Sequence, residues 1–177
     1  MLCGPVGEAL LLVDTAEEVT ALATGELTSI ADSVVRDALR ARLVLPQRHL
    51  RNWDYGPEGQ QFPCWTIALD PVSDTAIVYS QYGFGPDSPW GIVFISNLWF
   101  GMDSGWFSRL EDAFVESYLA SDLPIWNVVK NDGLTTEVVA SSLTMDDAFM
   151  RRDVVQAQRP ESVFHVVYRS IAAVGVP

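Results

Sequence analysis

Cysteine, histidine and lysine are all scarce in this chain of 177 residues. There are two cysteines (Cys3 and Cys64), two histidines (His49 and His165) and a single lysine, Lys130. Two distant cysteines form no metal-ligand pair and no disulfide framework. They read as reduced thiols of a cytoplasmic protein. The four Cys and His positions show none of the paired spacing that a zinc site requires, so no metal and no cofactor is expected. Long apolar runs are missing too. The longest near the start covers residues 9–13, far short of the roughly 18 that a membrane span needs. The first residues carry no base ahead of an apolar stretch, so neither a secretory leader nor a lipid anchor is expected.

Positive charge is the other shortage. The formal net charge is −12 and the pI about 4.3. Nucleic-acid binding needs a dominant basic face, so that class is set aside. Five arginines (Arg36, Arg40, Arg42, Arg48, Arg51) do cluster within residues 36–51 against one acid, Asp37. Salt bridges to the carboxylates of residues 52–127, or simple solvation, account for that strip. The hydrophobic fraction is 49% against 19% charged residues, a composition that predicts a folded main body and one domain over 1–177.

What the chain does have is a block rich in both tryptophan and carboxylate. All six tryptophans fall between Trp53 and Trp126. Residues 52–127 hold ten acids against one base, Arg109, a local charge of −9. Such a block is either a packed aromatic core with an acidic rim or a surface shaped for a basic partner.

Patterning indicates an α+β fold, an antiparallel β-meander with helices packed on one face. Residues 8–13 form a short apolar run. Thr15 and Glu18 then match a capping box, with Gly25 as the expected helix end. One continuous helix over 7–24 is the rival reading. Residues 28–43 place Ile30, Val34, Val35, Ala38 and Ala41 on one helical face, stopped by Pro46. Residues 64–69, 75–80 and 90–96 alternate and are separated by Asx, Pro and Gly turns, as three consecutive antiparallel strands would be. Phe107, Leu110, Phe114 and Tyr118 recur at helical spacing. A helix over 107–120 follows, opened by Asp103, Ser104 or Ser108. Phe107, Leu110, Phe114, Ile77, Tyr79, Ile92 and Phe94 form the expected core. Residues 134–143, 144–158 and 162–171 read as strand, helix and strand.

Catalytic signatures are absent. Cys64 begins a strand rather than a helix, and no imidazole is placed to activate it. Ser104 lacks the glycine that a nucleophile elbow puts two residues earlier. The Gly83-Phe84-Gly85-Pro86 loop has too few glycines and N–H donors for a phosphate cradle. No catalytic residue is assigned.

Two strings stand out instead: Trp53-Asp54-Tyr55-Gly56 and Gly101-Met102-Asp103-Ser104-Gly105-Trp106. Each sets a carboxylate beside aromatics and glycine. Trp53, Asp54, Tyr55, Asp103, Ser104 and Trp106 are therefore the candidate binding residues. With Cys64-Trp65, residues 77–80, Gly83-Phe84-Gly85-Pro86, Pro89-Trp90-Gly91 and Leu110-Glu111-Asp112-Ala113, these strings resemble small acidic bacterial proteins of the toxin-immunity type. The resemblance covers residues 53–114. It implies a cytoplasmic, non-enzymatic bacterial protein that binds a protein partner, and immunity to a basic toxin is one form of that. The alternative is a small enzyme or ligand-binding protein with an aromatic pocket around Asp54, Tyr55, Asp103 and Ser104, between the meander and the helix that follows it.

Overall fold

The computed structural model describes residues 13–54, 56–81, 87–100, 105–131 and 135–169. The fold is α+β. The elements run α1 (Ala16–Ser29), α2 (Ser33–Arg42), β1 (Gln47–Trp53), β2 (Gln61–Asp70), β3 (Thr75–Tyr79), β4 (Trp90–Phe94), β5 (Trp99–Phe100), β6 (Gly105–Phe107), α3 (Leu110–Val115), β7 (Trp126–Asn131), β8 (Thr136–Leu143), α4 (Met145–Gln158) and β9 (Phe164–Tyr168). Six strands form one sheet in the order β5-β1-β2-β3-β4-β6, antiparallel except for the parallel β1–β5 pair. The other three form a second antiparallel sheet, β8-β7-β9.

The β2–β3–β4 meander matches the sequence expectation, with Trp65 opposite Tyr79 and Tyr79 opposite Trp90. The β2–β3 turn is held by Asp70, whose carboxylate accepts from the Val72 and Ser73 N–H groups and from the Ser73 hydroxyl. This is the Asx chemistry that its sequence suggested.

Two sets of side chains fill the two faces of the large sheet. On one face the helices pack, and Val19, Leu39, Trp65, Ile77, Trp90, Leu110 and Phe114 join Trp126, Val128 and Phe164 of the second sheet in one apolar cluster. The other face carries Phe62, Cys64, Ala76, Val78, Val93 and Phe100, with Trp53, Ile95 and Trp106 against them. Among the described residues, no helix belongs to that second cluster. The sheet covers the face by curling: β5 and β6 are its two opposite edges, yet the Phe100 and Trp106 rings are 5.5 Å apart. Gly91 makes room for this. A Cβ there would sit 2.7 Å from the Trp106 ring. Arg51 spans the same interior from β1. It is 4% exposed, and its guanidinium donates to the Phe94 carbonyl at 2.9 Å and to the Asn97 carbonyl.

Several helix boundaries depart from the sequence reading. Thr15 and Glu18 do form the capping box of α1. Gly25 does not end that helix, because Leu27 is buried beyond it and Glu26 reaches across to accept the Leu110 N–H at 3.0 Å. These tertiary contacts outweigh the roughly 1 kcal/mol that an interior glycine costs. The run 7–12, where the rival single helix and the apolar run over 8–13 begin, lies outside the described residues. The helix expected over 28–43 starts only at Ser33. Ile30 is buried in extended conformation, and Asp32 caps α2 by accepting from Val34 and Val35. The helix expected over 107–120 is shorter still. Residues 105–107 are drawn into β6 beside β4, Ser108 caps nothing, and the cap comes from Glu26 of α1. A 3-10 turn, Tyr118–Ala120, follows. Of the expected core, Phe94 is 45% exposed, and Ile92 and Phe107 are half-buried. Phe94 closes its strand opposite Thr75, beside the Asp74 turn at the end of the sheet.

Ionic contacts fasten the layers. Glu111 is 5% exposed and accepts from the Tyr168 hydroxyl at 2.9 Å and from Arg109, joining α3 to β9. Burial, with the Asp32 charge nearby, pushes the Tyr168 phenol up to about 12. Arg169 grips the Asp32 carboxylate through both Nε and NH2, joining the end of β9 to the α2 cap. Of the basic strip, Arg42 reaches the acidic block, at Asp122 and 3.4 Å, whereas Arg40 pairs with Asp37 at 2.8 Å and Arg48 with Asp14 at 3.7 Å, acids outside that block.

The Asp32 contact makes stability pH-dependent. Burial alone would raise its carboxyl, but the Arg169 hydrogen bond and the Val35 and Val34 N–H donors hold it below the ordinary value. A carboxyl whose folded pKa is depressed contributes its stability fully above its unfolded pKa of about 4, and loses it as the pH falls through the lower folded value. Urea midpoints measured from pH 6 downward should therefore fall below about pH 4. Arg169→Met should flatten part of that slope. An unchanged acid limb in the variant would show that this pair does not contribute.

Candidate functional site

The end of β1 and the turn after it shape a hollow of about 190 Å³. Its lining includes Asn52, Trp53, Asp54, Glu58, Gln60 and Trp99. Local sequence explains the shape. Gln60 N–H donates to the Pro57 carbonyl at 3.1 Å, closing a turn in which Gly59 takes φ +76°, a conformation that glycine adopts without strain. Gly56 N–H donates back to the Trp53 carbonyl at 2.9 Å. Glu58 stands at the exposed tip of that turn.

Trp99 is fixed from the opposite side. Its backbone N–H donates to the Asn97 side-chain oxygen at 3.0 Å. Asn52 and Asp54 donate their backbone N–H groups to Leu98 and Phe100, at 2.9 and 3.1 Å. Asn52 is the register partner of Trp99, so the two side chains leave the sheet on the same side. The indole of Trp99 is thus 51% exposed on a short strand pinned at both ends. The result is an aromatic surface beside two exposed carboxylates, Asp54 and Glu58, with two amide side chains, Asn52 and Gln60. Aromatic faces and carboxylates together attract a cation, the first through the ring quadrupole and the second through charge.

The sequence-derived candidates divide. Trp53 and Asp54 both line the hollow, Trp53 half-buried with its ring edge-on to Phe62 at 5.9 Å, Asp54 exposed. Trp106 is not on that lining. It packs over Gly91 and against Phe100 inside the curled sheet. Tyr55, Asp103 and Ser104 lie outside the described residues, as does the Gly83-Phe84-Gly85-Pro86 loop. Trp99 and Glu58 were not singled out from the sequence. Trp99 follows an Asn97-Leu98 bend and is the one tryptophan of the block that is more than half exposed, which the sequence does not signal. Pro57-Glu58-Gly59 is a legible turn, but its role comes from Trp99 lying across from it.

Cys64 and His49 are register partners on β2 and β1, a proximity the sequence reading did not anticipate. The thiol is nonetheless wholly buried, and burial pushes it up to about 12, against a small opposing effect of Arg51. A nucleophilic thiolate needs the reverse environment. Among the described residues no group of three His, Cys, Asp or Glu side chains could hold a metal ion. No helix among them is long and apolar enough to cross a membrane. No family model matches this chain, and neither a curated protein nor a solved structure matches it.

Proposed function

We propose that this chain is a non-enzymatic protein-binding domain that docks a basic partner. The hollow between Trp99 and the Asp54–Glu58 turn would receive an arginine or lysine side chain of that partner. The observation that carries this reading is an exposed indole held beside two carboxylates on a molecule of net charge −12. Complementary charge speeds encounter, and the ring supplies contact area once the cation is seated. Immunity to a basic toxin, the form implied by the sequence resemblance, is one instance of such docking.

A tetra-arginine amide is a suitable probe by titration calorimetry. Binding should weaken as salt rises, because screening shortens the reach of the field to about 8 Å near physiological strength. Asp54→Lys combined with Glu58→Lys should lower affinity at least about tenfold, and Trp99→Ala about two- to fivefold, the range of an exposed cation–π contact. Reversal of two acids elsewhere, Asp146→Lys with Asp153→Lys, controls for net charge. If that control pair weakens binding as much as the Asp54/Glu58 pair, diffuse charge is responsible and the hollow is not the site.

A further inference from the structure

A second concavity shares no residue with the first. It is a groove open to solvent, of about 350 Å³, lined by Glu116, Ser117, Tyr118, Trp126, Met145, Phe149 and Val166. Three elements build it. Trp126 of β7 and Val166 of β9 point from the same face of the small sheet, since Trp126 is opposite Tyr168 and Val128 opposite Val166. Met145 and Phe149 are four residues apart on α4 and so stand one above the other. Glu116, Ser117 and Tyr118 come from the turn after α3. The Met145 N–H donates to the Ser121 carbonyl at 3.0 Å, which ties the α4 wall to the α3 wall and sets the width between them.

The lining reads as a small-molecule site. The volume lies at the low end of the range of about 300–1,000 Å³ typical of such sites, and Tyr118, Trp126, Met145, Phe149 and Val166 give it an apolar and aromatic side beside the polar Glu116 and Ser117. The polar groups can be sorted. Ser117 is buried and its hydroxyl is committed to the Phe114 carbonyl at 2.6 Å. Tyr118 is 65% exposed and offers a ring as well as a hydroxyl. Glu116 is exposed at the rim and is the one ionisable acid or base of the lining, the Tyr118 phenol aside. Neighbouring charges do not reverse this. Arg152 stacks on Phe149 at 5.0 Å, but its guanidinium is bonded to Asp153 at 2.7 and 2.9 Å. The positive end of α4 beside Met145 is met by its own Asp146 and Asp147 and by the Thr144 cap.

We infer that this groove binds a small arylalkyl ammonium compound, its apolar body against Trp126, Met145, Phe149 and Val166 and its cationic head at Glu116. The chemistry follows from the two kinds of surface. The apolar floor recovers hydrophobic free energy from an aryl or branched alkyl group. A single carboxylate beside two exposed rings favours a cation over a neutral or anionic head.

Three probes of one shape separate these contributions: 2-phenylethylammonium, neutral 2-phenylethanol and anionic 3-phenylpropionate. Saturation-transfer NMR and titration of each against the full chain give relative affinities. The ammonium compound should bind most tightly, about two- to fivefold better than the alcohol, as a partly exposed ion pair allows. The anion should bind worst. Glu116→Gln should remove the advantage of the ammonium compound and leave the alcohol unchanged. Phe149→Ala should weaken both by roughly five- to tenfold, as loss of ring contact does. Both residues are exposed, so circular dichroism should match the parent; Tyr118→Ala serves as a second ring variant. Equal affinity for the alcohol and the ammonium compound, an ammonium advantage that survives Glu116→Gln, or no transfer to any probe would each overturn the inference. None of these outcomes touches the arginine-peptide titration, which depends on Asp54, Glu58 and Trp99.

Discussion

Phe114→Ala should cost roughly 3–5 kcal/mol of folding stability, the range for a large aromatic removed from a packed interior. Phe114 is wholly buried, and α3, which carries it, lies against α1, α2 and strands β4 and β6 of the large sheet. Arg42 lies over the ring at 5.8 Å, so the side chain also supports the α2 end of the helical layer. Little around it can collapse into the space, because Leu110, Ala113 and Ala120 nearby are themselves fully buried on short, fixed elements. Urea unfolding followed by far-UV circular dichroism reads the change directly. A loss below about 1 kcal/mol would mean that the helical layer relaxes around the cavity, contrary to the close packing expected of such a core.

Arg51→Ala should be nearly as damaging, at roughly 2–4 kcal/mol, for a different reason. The guanidinium lies inside the curled sheet, and among the described residues no carboxylate pairs with it. Its Nε is buried without a partner there. What it offers is donors to two carbonyls, Phe94 and Asn97, at the turn that leads from β4 into β5. Leaving such groups without donors costs about 1–3 kcal/mol each where water cannot replace them, and the truncated stem leaves a void as well. Arg51→Met separates the two effects. It keeps most of the stem volume and removes an isolated buried charge, so it should be milder, at about 1–2 kcal/mol. If Arg51→Ala and Arg51→Met are both within 0.5 kcal/mol of the parent, a margin typical of surface substitutions, the guanidinium is not what ties this turn.

The hollow and the groove share an origin. Each forms where a short element meets a turn from elsewhere in the chain. Trp99 owes its position to two backbone hydrogen bonds from β1, and Phe149 to the bond between Met145 and Ser121. Both are sites of tertiary assembly, with their polar groups on turns and their apolar floors on regular structure. This is the usual division between scaffold and recognition.

The sequence by itself determined the elements whose signals are local. The Thr15–Glu18 capping box, the Asp70 turn, the alternation of β2, β3 and β4, and the Thr144 start of α4 depend on neighbours a few residues apart, and all stand in the structure. It also fixed the acidity on which the binding proposal rests, since net charge needs no fold. Only tertiary structure decided the rest. Residues 47–53, which overlap the basic strip of 36–51, carry no strand signal in the sequence, yet they pair along β2, where Arg51 finds carbonyls inside the curl. Phe107 has helical spacing with Leu110 and Phe114 but joins β6, which pairs with β4 at Trp90, Gly91 and Ile92. Tryptophan composition could not separate Trp106, over Gly91 in the interior, from Trp99 on the surface. Burial depends on which distant strands close around a ring, and a single sequence carries no local trace of that closure.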